Sequence, residues 1–274
     1  MKASRKKKTI WILFILSVIF FWGFFRNDKN LISPLARPSL ESAVEASVQK
    51  NGRYGIFIKN FKTEEEYKLN EDDQFEAGSL YKIYLMSDVL EKIKKGKLSE
   101  DLELKEDIPA LNRKFNISSD EAELKSGEVI LTVKNALEQM ITISHNYAAL
   151  LLLSKVEDAN MRPPLKVTAK EVATFFEKLY QGQLIDMEYS QRMLDILSRQ
   201  KISDRIAKYL PKDIKVAHKT GDIGYFEHDG GIVFSERGDY IIVVLTETES
   251  PKVADEQIAQ ISKAVFEYFS RRIN

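Results

Sequence analysis

The pattern of apolar and polar residues divides the chain into an apolar run, a polar connection and a long mixed region. Residues 9–25 contain no charged side chain, and at about 1.5 Å per residue they reach the short end of a membrane-spanning helix. Residues 1–8 are mostly basic, and residues 26–39 contain two prolines without a helical period, which is typical of a linker. Residues 40–274 contain no further linker and are predicted to form one domain.

The periodicity within this domain changes between helical and strand patterns in a defined order. A helix and two strands are followed by a buried helix that starts near Ser79, by several further helices, and by three strands and a closing helix. Asp229, Gly230 and Gly231 are typical of a turn. The predicted strands lie at residues 53–59, 65–69, 214–220, 231–234 and 240–246. This order predicts an antiparallel sheet built from both chain ends, with an all-helical subdomain inserted between them.

Composition and charge exclude several classes of function. The formal net charge is zero, but residues 1–8 are basic, so the rest of the chain is mildly acidic, which argues against nucleic acid as a partner. The chain has no cysteine, which excludes a disulfide, a cysteine nucleophile and a cysteine–zinc site. His145, His218 and His228 share no metal-ligand spacing, so no metal site is predicted and no cofactor is expected.

The flanks of the apolar run bear on localisation. The basic residues before it predict a cytoplasmic N-terminus. The run ends in Phe24 and Phe25, followed by Arg26, without the small-residue site at which a signal peptide is cleaved. An uncleaved transmembrane signal-anchor is therefore favoured over a cleaved signal peptide. The domain is expected to lie outside the cell membrane.

The first candidate for catalysis is Ser79 with Lys82. Three residues is close to one helical turn, so both side chains are predicted to lie on one face of the helix, near its positive N-terminal end. A serine beside an amine is suited to nucleophilic catalysis, with the amine as proton acceptor. The spacing alone is weak support, because it also occurs at Ser4, Ser47 and Ser198.

Two later segments supply complementary chemistry. Ser144-His145-Asn146 lies at a predicted break between two helices, where Ser144 could relay protons and Asn146 could bind a substrate amide. Lys219-Thr220-Gly221 follows near the end of a strand.

The third segment offers groups for a carboxylate and for the catalytic base. Lys219 and Thr220 could bind a substrate carboxylate, and Gly221 would allow the backbone to approach closely. The charge of Lys219, together with partial burial, would lower the pKa of Lys82.

These three segments, in this order, resemble the motifs of the penicillin-recognising serine hydrolases, and those of class A β-lactamases most closely. The resemblance covers residues 40–274 and implies an α+β fold of three α/β/α layers. It also implies that Ser79 is the acylated nucleophile and Lys82 the acylation base. The backbone N–H groups of Ser79 and Asp222 would form the oxyanion hole.

The sequence departs from that family at three points. His145 stands where the family usually has aspartate, a change predicted to be structural, with a pH-sensitive contact as the alternative. Only residues 147–167 separate the second motif from the predicted helix that begins at Thr168, and the first ten of them are predicted to be helical. This leaves no room for the long loop with a deacylating glutamate that the resemblance implies. Glu157, the nearest acid, is predicted to lie on a solvated helix end. Tyr240 replaces an arginine that often binds the substrate carboxylate.

The resemblance and its departures predict a membrane-anchored serine hydrolase that is acylated at Ser79 and deacylates slowly. The expected substrate is a D-alanyl-D-alanine-type peptide of peptidoglycan, and turnover of β-lactams is expected to be poor. Two alternatives remain open at this point. One is a class A-like β-lactamase with a rearranged deacylation route, and the other is a non-catalytic binding or sensor domain on the same fold.

Overall fold

The computed structural model describes residues 39–48, 52–156 and 165–271. The predicted basic tail, signal-anchor and most of the linker lie outside the described residues, so these boundaries remain predictions. Within the described ranges, no helix combines the length and the apolar character that crossing a membrane requires.

A five-stranded antiparallel sheet forms the centre of the domain. Its strands are β1 Arg53–Asn60, β2 Glu66–Leu69, β7 Val216–Ile223, β8 Phe226–Val233 and β9 Tyr240–Glu247. Their order in the sheet is β2-β1-β9-β8-β7. The two chain ends meet in it, because β1 pairs with β9 along its whole length. The prediction of a sheet built from both ends is thereby confirmed.

Helices cover both faces of this sheet. In β9, Ile242 and Val244 contact one hydrophobic cluster, whereas Ile241 and Val243 contact the other. Both faces are buried, which explains why the strand reads as a continuous apolar run instead of an alternating one. The arrangement has three α/β/α layers, as expected. On one face lie α1 Leu40–Glu45 and α8 Pro251–Ser270, and on the other lie α6 Ala169–Tyr180 and α7 Met187–Leu197.

The inserted region is not all-helical as predicted, because it contains two small antiparallel sheets. In β4 Glu103–Asp107 only Leu104 is both apolar and buried, so this strand gives almost no hydrophobic signal. In β5 Glu128–Thr132 three apolar residues follow one another but only Val129 is buried, so the run does not alternate as a half-buried strand does. The region's strands are β3 Phe75–Glu76, β4 Glu103–Asp107, β5 Glu128–Thr132 and β6 Lys166–Val167. Its helices are α2 Tyr81–Lys94, α3 Ile108–Lys114, α4 Val133–Thr142 and α5 Asn146–Val156.

The predicted turn at Asp229-Gly230-Gly231 is wrong, because all three residues lie inside β8. A Cβ atom at Gly231 would lie 2.4 Å from the carbonyl oxygen of Ala217 on β7. Glycine is therefore required there for close strand packing, which gives the same sequence signal as a turn. Asp229 is buried between strands, where its carboxylate contacts His218 Nδ1 at 2.9 Å.

Candidate active site

Ser79 lies in the middle of a short 3₁₀ turn, Gly78–Leu80, which leads directly into α2. The serine is half-buried. Gly78 has a φ of +49°, a conformation that glycine adopts at little cost. The chain therefore enters the helix through a tight turn that presents the serine at the helix start.

Two glycines allow this turn to pack directly against β7. A Cβ atom at Gly78 would lie 2.8 Å from the backbone nitrogen of Asp222, and one at Gly221 would lie 2.9 Å from the carbonyl oxygen of Ala77. Real Cβ contacts of that length essentially do not occur, so neither position tolerates a side chain without movement. The close approach brings the backbone of Ser79 beside that of Asp222, as an oxyanion hole made from their N–H groups requires.

Lys82 is fully buried one turn after the serine and points its amine at the second motif. Its Nζ donates hydrogen bonds to the carbonyl oxygen of Ser144 at 2.6 Å and to Asn146 Oδ1 at 2.7 Å. A longer contact of 3.2 Å joins Nζ to Ser144 Oγ. The structure thus brings together the first and second motifs, which lie more than sixty residues apart in the sequence.

The second motif is held by the start of α5. Ser144 has a φ of +57°, an uncommon conformation for a residue with a side chain. His145 Nδ1 accepts a hydrogen bond of 3.1 Å from the N–H of Ala148, as the side chain of a helix N-cap does. This contact fixes the neutral tautomer with its proton on Nε2. It supports the structural interpretation of His145.

Lys219, on β7, completes the constellation from the other side of Ser144. Its amine is fully buried and donates to Ser144 Oγ at 3.0 Å and to the carbonyl oxygen of Thr220 at 2.8 Å. The hydroxyl of Ser144 therefore lies between two amines and can pass a proton from one to the other. Thr220 Oγ1 is buried and has no hydrogen-bond partner within the described ranges.

Burial dominates the electrostatics of both lysines. Removal from water lowers the pKa of Lys82 to about 8, and the negative charges of Glu123 and Asp222 oppose that shift. Burial and, to a smaller extent, the nearby positive charge of Lys82 lower the pKa of Lys219 to about 7. The expected effect of the Lys219 charge on Lys82 is not what the structure shows: burial lowers the pKa of Lys82, and the repulsion between the two amines acts on Lys219. Near neutral pH an amine in this cluster can accept a proton.

We expect the stability of the protein to depend on pH through Lys219. Its pKa is lower in the folded state than in the unfolded chain, so the unfolded chain binds more protons between about pH 7 and 10.5. The difference in free energy of unfolding between the wild type and Lys219→Met should therefore shift in favour of the wild type as the pH rises across that window, by up to roughly 1.4 kcal/mol per pH unit.

Urea unfolding at pH 6, 8 and 10 would measure this difference. Below pH 7 it should become constant. Lys134→Met changes an exposed lysine and serves as the control, for which a flat difference is expected. A flat difference for Lys219→Met as well would contradict the assignment of a depressed pKa.

Tyr240 does not take the place of a carboxylate-binding arginine. It is fully buried in the layer beneath α8, 5.1 Å from the ring of Phe269, on the opposite face from the helices of the insertion. Its side chain therefore lies away from the site. Side chains alternate between the two faces along β9, so Tyr240 lies with Ile242 and Val244 on the face covered by α8.

Arg205, a buried guanidinium behind the third motif, is not among the residues predicted from the sequence. It contacts the carboxylate of Asp222, and it donates to Glu227 Oε2 and to Asp255 Oδ1, both at 2.5 Å. Its side chain is 5% exposed. Arg205 lies in an irregular loop without a spacing signal, so tertiary structure alone reveals it. Its contact with Asp222 anchors the residue whose backbone nitrogen lies against Gly78, next to Ser79.

The connection after α5 is short. Residues 157–165 lead from the end of that helix to β6, whose Lys166 and Val167 pair with Glu76 and Phe75, just before the nucleophile turn. Glu157 lies outside the described residues. The segment that replaces the family's long loop therefore spans nine residues and ends beside the strand that precedes Ser79.

Acyl transfer to a serine requires a base, a proton relay and an oxyanion hole, and the cleft between β7 and the insertion can supply each of them. The class that combines such a cleft with this three-layer fold is the serine hydrolases of the β-lactamase type. The chain belongs to the beta-lactamase enzyme family, whose sequence model matches residues 39–269.

Individual relatives agree with this assignment. Beta-lactamase VEB-1 of Pseudomonas aeruginosa is 24% identical, and the match covers 94% of this chain and 97% of the relative. The solved beta-lactamase of Sphaerobacter thermophilus superposes with a TM-score of 0.73 at 22% identity, covering 84% of this chain and 96% of its own. The structure of PBP-A gives a TM-score of 0.70 at 21% identity, covering 84% and 95%. These structural similarities confirm the fold.

Proposed function

We propose that this serine hydrolase is a D,D-peptidase that cleaves D-alanyl-D-alanine-type peptides of peptidoglycan through an acyl-enzyme on Ser79. The observation that carries the proposal is the contrast between a complete acylation cluster and a connection of only nine residues after α5. The resemblance implies that a β-lactamase of class A needs a long loop there to position its deacylating glutamate. A peptidase can release its product more slowly.

The proposed acylation step uses the one-turn spacing of Ser79 and Lys82 and the hydrogen bonds that both lysines make with Ser144. Ser79 Oγ attacks the carbonyl carbon of the scissile amide while its proton passes to the amine of Lys82. The N–H groups of Ser79 and Asp222 stabilise the negative oxygen of the intermediate. When the carbon–nitrogen bond breaks, Ser144 Oγ donates a proton to the leaving D-alanine nitrogen and is reprotonated by the ammonium of Lys82, which carries the proton taken from Ser79. Water then hydrolyses the ester and restores Ser79.

The substrate carboxylate is assigned to the third motif. Lys219 and Thr220 lie on β7 directly before Gly221, where the strand approaches the nucleophile turn. The terminal carboxylate of a D-alanyl-D-alanine peptide and the carboxylate of a β-lactam are equivalent in charge. One site could therefore accept either ligand.

Two similarities bear on the choice between peptidase and β-lactamase. A second structure of PBP-A shows a point mutant of that protein as an acyl-enzyme complex with penicillin G. That structure superposes on this chain with a TM-score of 0.69 at 21% identity. In contrast, VEB-1 and the Sphaerobacter thermophilus protein are named β-lactamases, which favours hydrolysis of β-lactams as the second candidate.

We also propose that residues 9–25 anchor the domain on the outer face of the cell membrane. The uncharged run, its basic flank and the proline-containing linker support this assignment. Peptidoglycan lies next to that face, so an anchored domain would be held near its polymeric substrate.

Intact-mass measurement with benzylpenicillin tests the peptidase against its alternatives. We expect one covalent adduct per chain that persists after excess penicillin is removed, and release of D-alanine from an acyl-D-Ala-D-Ala peptide. Ser79→Ala should abolish both. Rapid hydrolysis of a chromogenic cephalosporin without an accumulated adduct would favour a β-lactamase instead. If the protein forms no adduct and cleaves no peptide, the result would favour a non-catalytic binding domain.

A further inference from the structure

The tip of the hairpin between β7 and β8 presents two large exposed side chains. Gly224 forms the turn with a φ of +58°, and a Cβ atom there would meet no atom of the described residues within 4 Å. Ile223 is 52% exposed and Tyr225 is 62% exposed. Exposed large apolar groups on one short turn are informative, because most groups of this kind are buried. The tip therefore offers an aromatic surface to a ligand.

A groove of about 520 Å³ opens between this tip and the start of α8. Its lining combines one aromatic ring with carboxylates and hydroxyls, from Gly52, Tyr225, Glu247, Thr248, Glu249 and Ser250. Such walls suit a ligand that has an apolar face and an edge of hydrogen-bond donors. A pyranose sugar has this form, because C–H groups cover its faces and hydroxyl or acetamido groups surround its edge. The volume is large enough for a small ligand.

The carboxylate of Glu247 is fixed before any ligand binds. Arg53 donates to Glu247 Oε2 from Nε at 2.9 Å and from Nη2 at 2.6 Å, so both bonds end on the same oxygen. The guanidinium also lies 4.0 Å from the centre of the Phe75 ring. The N–H of Thr248 donates to the carbonyl oxygen of Tyr225 at 2.9 Å, which ties the hairpin tip to the groove. Groups held in this way lose little freedom when a ligand binds.

The charges around the groove favour an uncharged ligand. The charge of Glu247 is neutralised by Arg53, whereas Glu249 is exposed at the rim and carries a negative charge. That carboxylate disfavours an anion. The positive end of α8, which begins at Pro251, disfavours a cation. A neutral molecule that donates hydrogen bonds avoids both penalties.

The groove lies within reach of a sugar that is attached to a peptide in the active site. Tyr225 follows Asp222 by three residues, so their Cα atoms are at most about 11 Å apart. An extended peptide of four residues spans roughly 14 Å. The sugar at the far end of such a peptide can therefore reach Tyr225 while the scissile bond lies at Ser79.

We propose that this groove, formed by Tyr225, Glu247 and Glu249, binds the N-acetylated glycan strand to which the peptide substrate is attached. The ring of Tyr225 packs on the C–H face of one sugar, and the carboxylates accept hydrogen bonds from its hydroxyl and acetamido groups. The identity of this ligand rests on the proposed peptidase function. The groove lies outside the cleft in which Ser79 is acylated, so it gives the polymer a second point of attachment.

Calorimetric titration of the full-length protein with a β-1,4-linked tetramer of N-acetylglucosamine tests the site directly. We expect saturable binding, with a Kd roughly three- to tenfold higher in Tyr225→Ala, because one aromatic contact is lost. Tyr209→Ala is the matched control, since Tyr209 is also exposed but contacts Glu256 on α8. It should keep the wild-type Kd.

Three results of this titration would overturn the proposal. The first is the absence of saturable binding to the wild type, and the second is an unchanged Kd in Tyr225→Ala. The third is tighter binding of the fully deacetylated tetramer at pH 6, where its amines are charged, because that result would assign the groove to cations.

Peptide cleavage gives a second readout that separates this site from the proposed peptidase function. The value of kcat/KM is compared for a peptide ending in D-Ala-D-Ala and for the same peptide linked to a disaccharide of N-acetylated sugars. The linked peptide should be favoured by more than about threefold in the wild type, and this ratio should fall close to one in Tyr225→Ala. A ratio of one in the wild type would overturn the proposal.

The two functions can fail independently. Cleavage of the free peptide without any binding of the tetramer would leave the peptidase function standing and overturn the glycan site. Binding of the tetramer that is weakened in Tyr225→Ala, without cleavage of any peptide, would support the glycan site and contradict the peptidase function.

Discussion

Replacing Lys82 with alanine is expected to lower the rate of acylation by a β-lactam by about 10²–10⁴-fold, the usual contribution of a general base. The amine lies one helical turn from Ser79 and within 3.2 Å of Ser144 Oγ, and its pKa is lowered to about 8. Only the neutral amine can accept the proton of Ser79. The wild-type rate should therefore rise with pH through that pKa, and this dependence should disappear in the variant.

Stopped-flow acylation by a chromogenic cephalosporin from pH 6 to 9 measures both effects. The matched control is Lys95→Ala, at the C-terminal end of the same helix, where the side chain is exposed and pairs with Glu91. It should keep the wild-type rate. Retention of more than a tenth of the rate in Lys82→Ala, in a variant with native unfolding behaviour, would assign the role of base to another group.

The two strands at the centre of the sheet's chain-end pairing could be predicted from the sequence because burial on both faces makes them largely apolar runs. The segments β1 and β9 show this directly, and they pair across the whole length of the chain. Polar strands such as β4 gave no such signal, because only Leu104 is buried in it. At Gly231 the signal was misleading, since local sequence cannot distinguish a glycine needed for a turn from one needed for tight packing.

The active-site residues also differ in whether the sequence alone could predict their positions. Ser79 and Lys82 are one helical turn apart, so their proximity follows from local geometry. Glu123 and Arg205 are single charges in irregular loops, and no periodicity or spacing sets them apart from the other charged residues of the chain. Their positions depend on tertiary contacts. Glu123 is held by the hydrogen bonds that the backbone of Leu124 makes with Tyr147 and Asn112, and Arg205 is held by the carboxylate of Asp222 on β7.

The carboxylates around Arg205 depend on its charge. Burial and the hydrogen bond with Asp222 together raise the pKa of Glu227 to about 9, so Glu227 holds a proton at neutral pH. At Asp222 burial acts in the opposite direction to the hydrogen bond with Glu227 and to the charge of Arg205, and these two lower its pKa overall. Arg205 therefore neutralises Asp222 directly beside the nucleophile turn.

We accordingly expect Arg205→Leu to lower the free energy of unfolding by about 1–3 kcal/mol, since the variant leaves the buried carboxyl of Glu227 and the buried carbonyl oxygen of His228 without their donor. The displaced backbone of Asp222 should also slow acylation. Arg199→Leu provides the contrast, because Arg199 forms a two-bonded ion pair with Glu138 on the surface and should cost only about 0.2–1 kcal/mol. Urea unfolding at pH 7 compares the two variants.

A second substitution keeps this prediction testable if Arg205→Leu is too unstable to study. Adding Asp222→Asn removes the main negative charge that the arginine compensates, so the double variant should be more stable than Arg205→Leu alone. The contact would then be shown to act through charge compensation. If the double variant lost the sum of the two single effects, packing of the long side chain would explain the loss, and the electrostatic account of the cluster would be wrong.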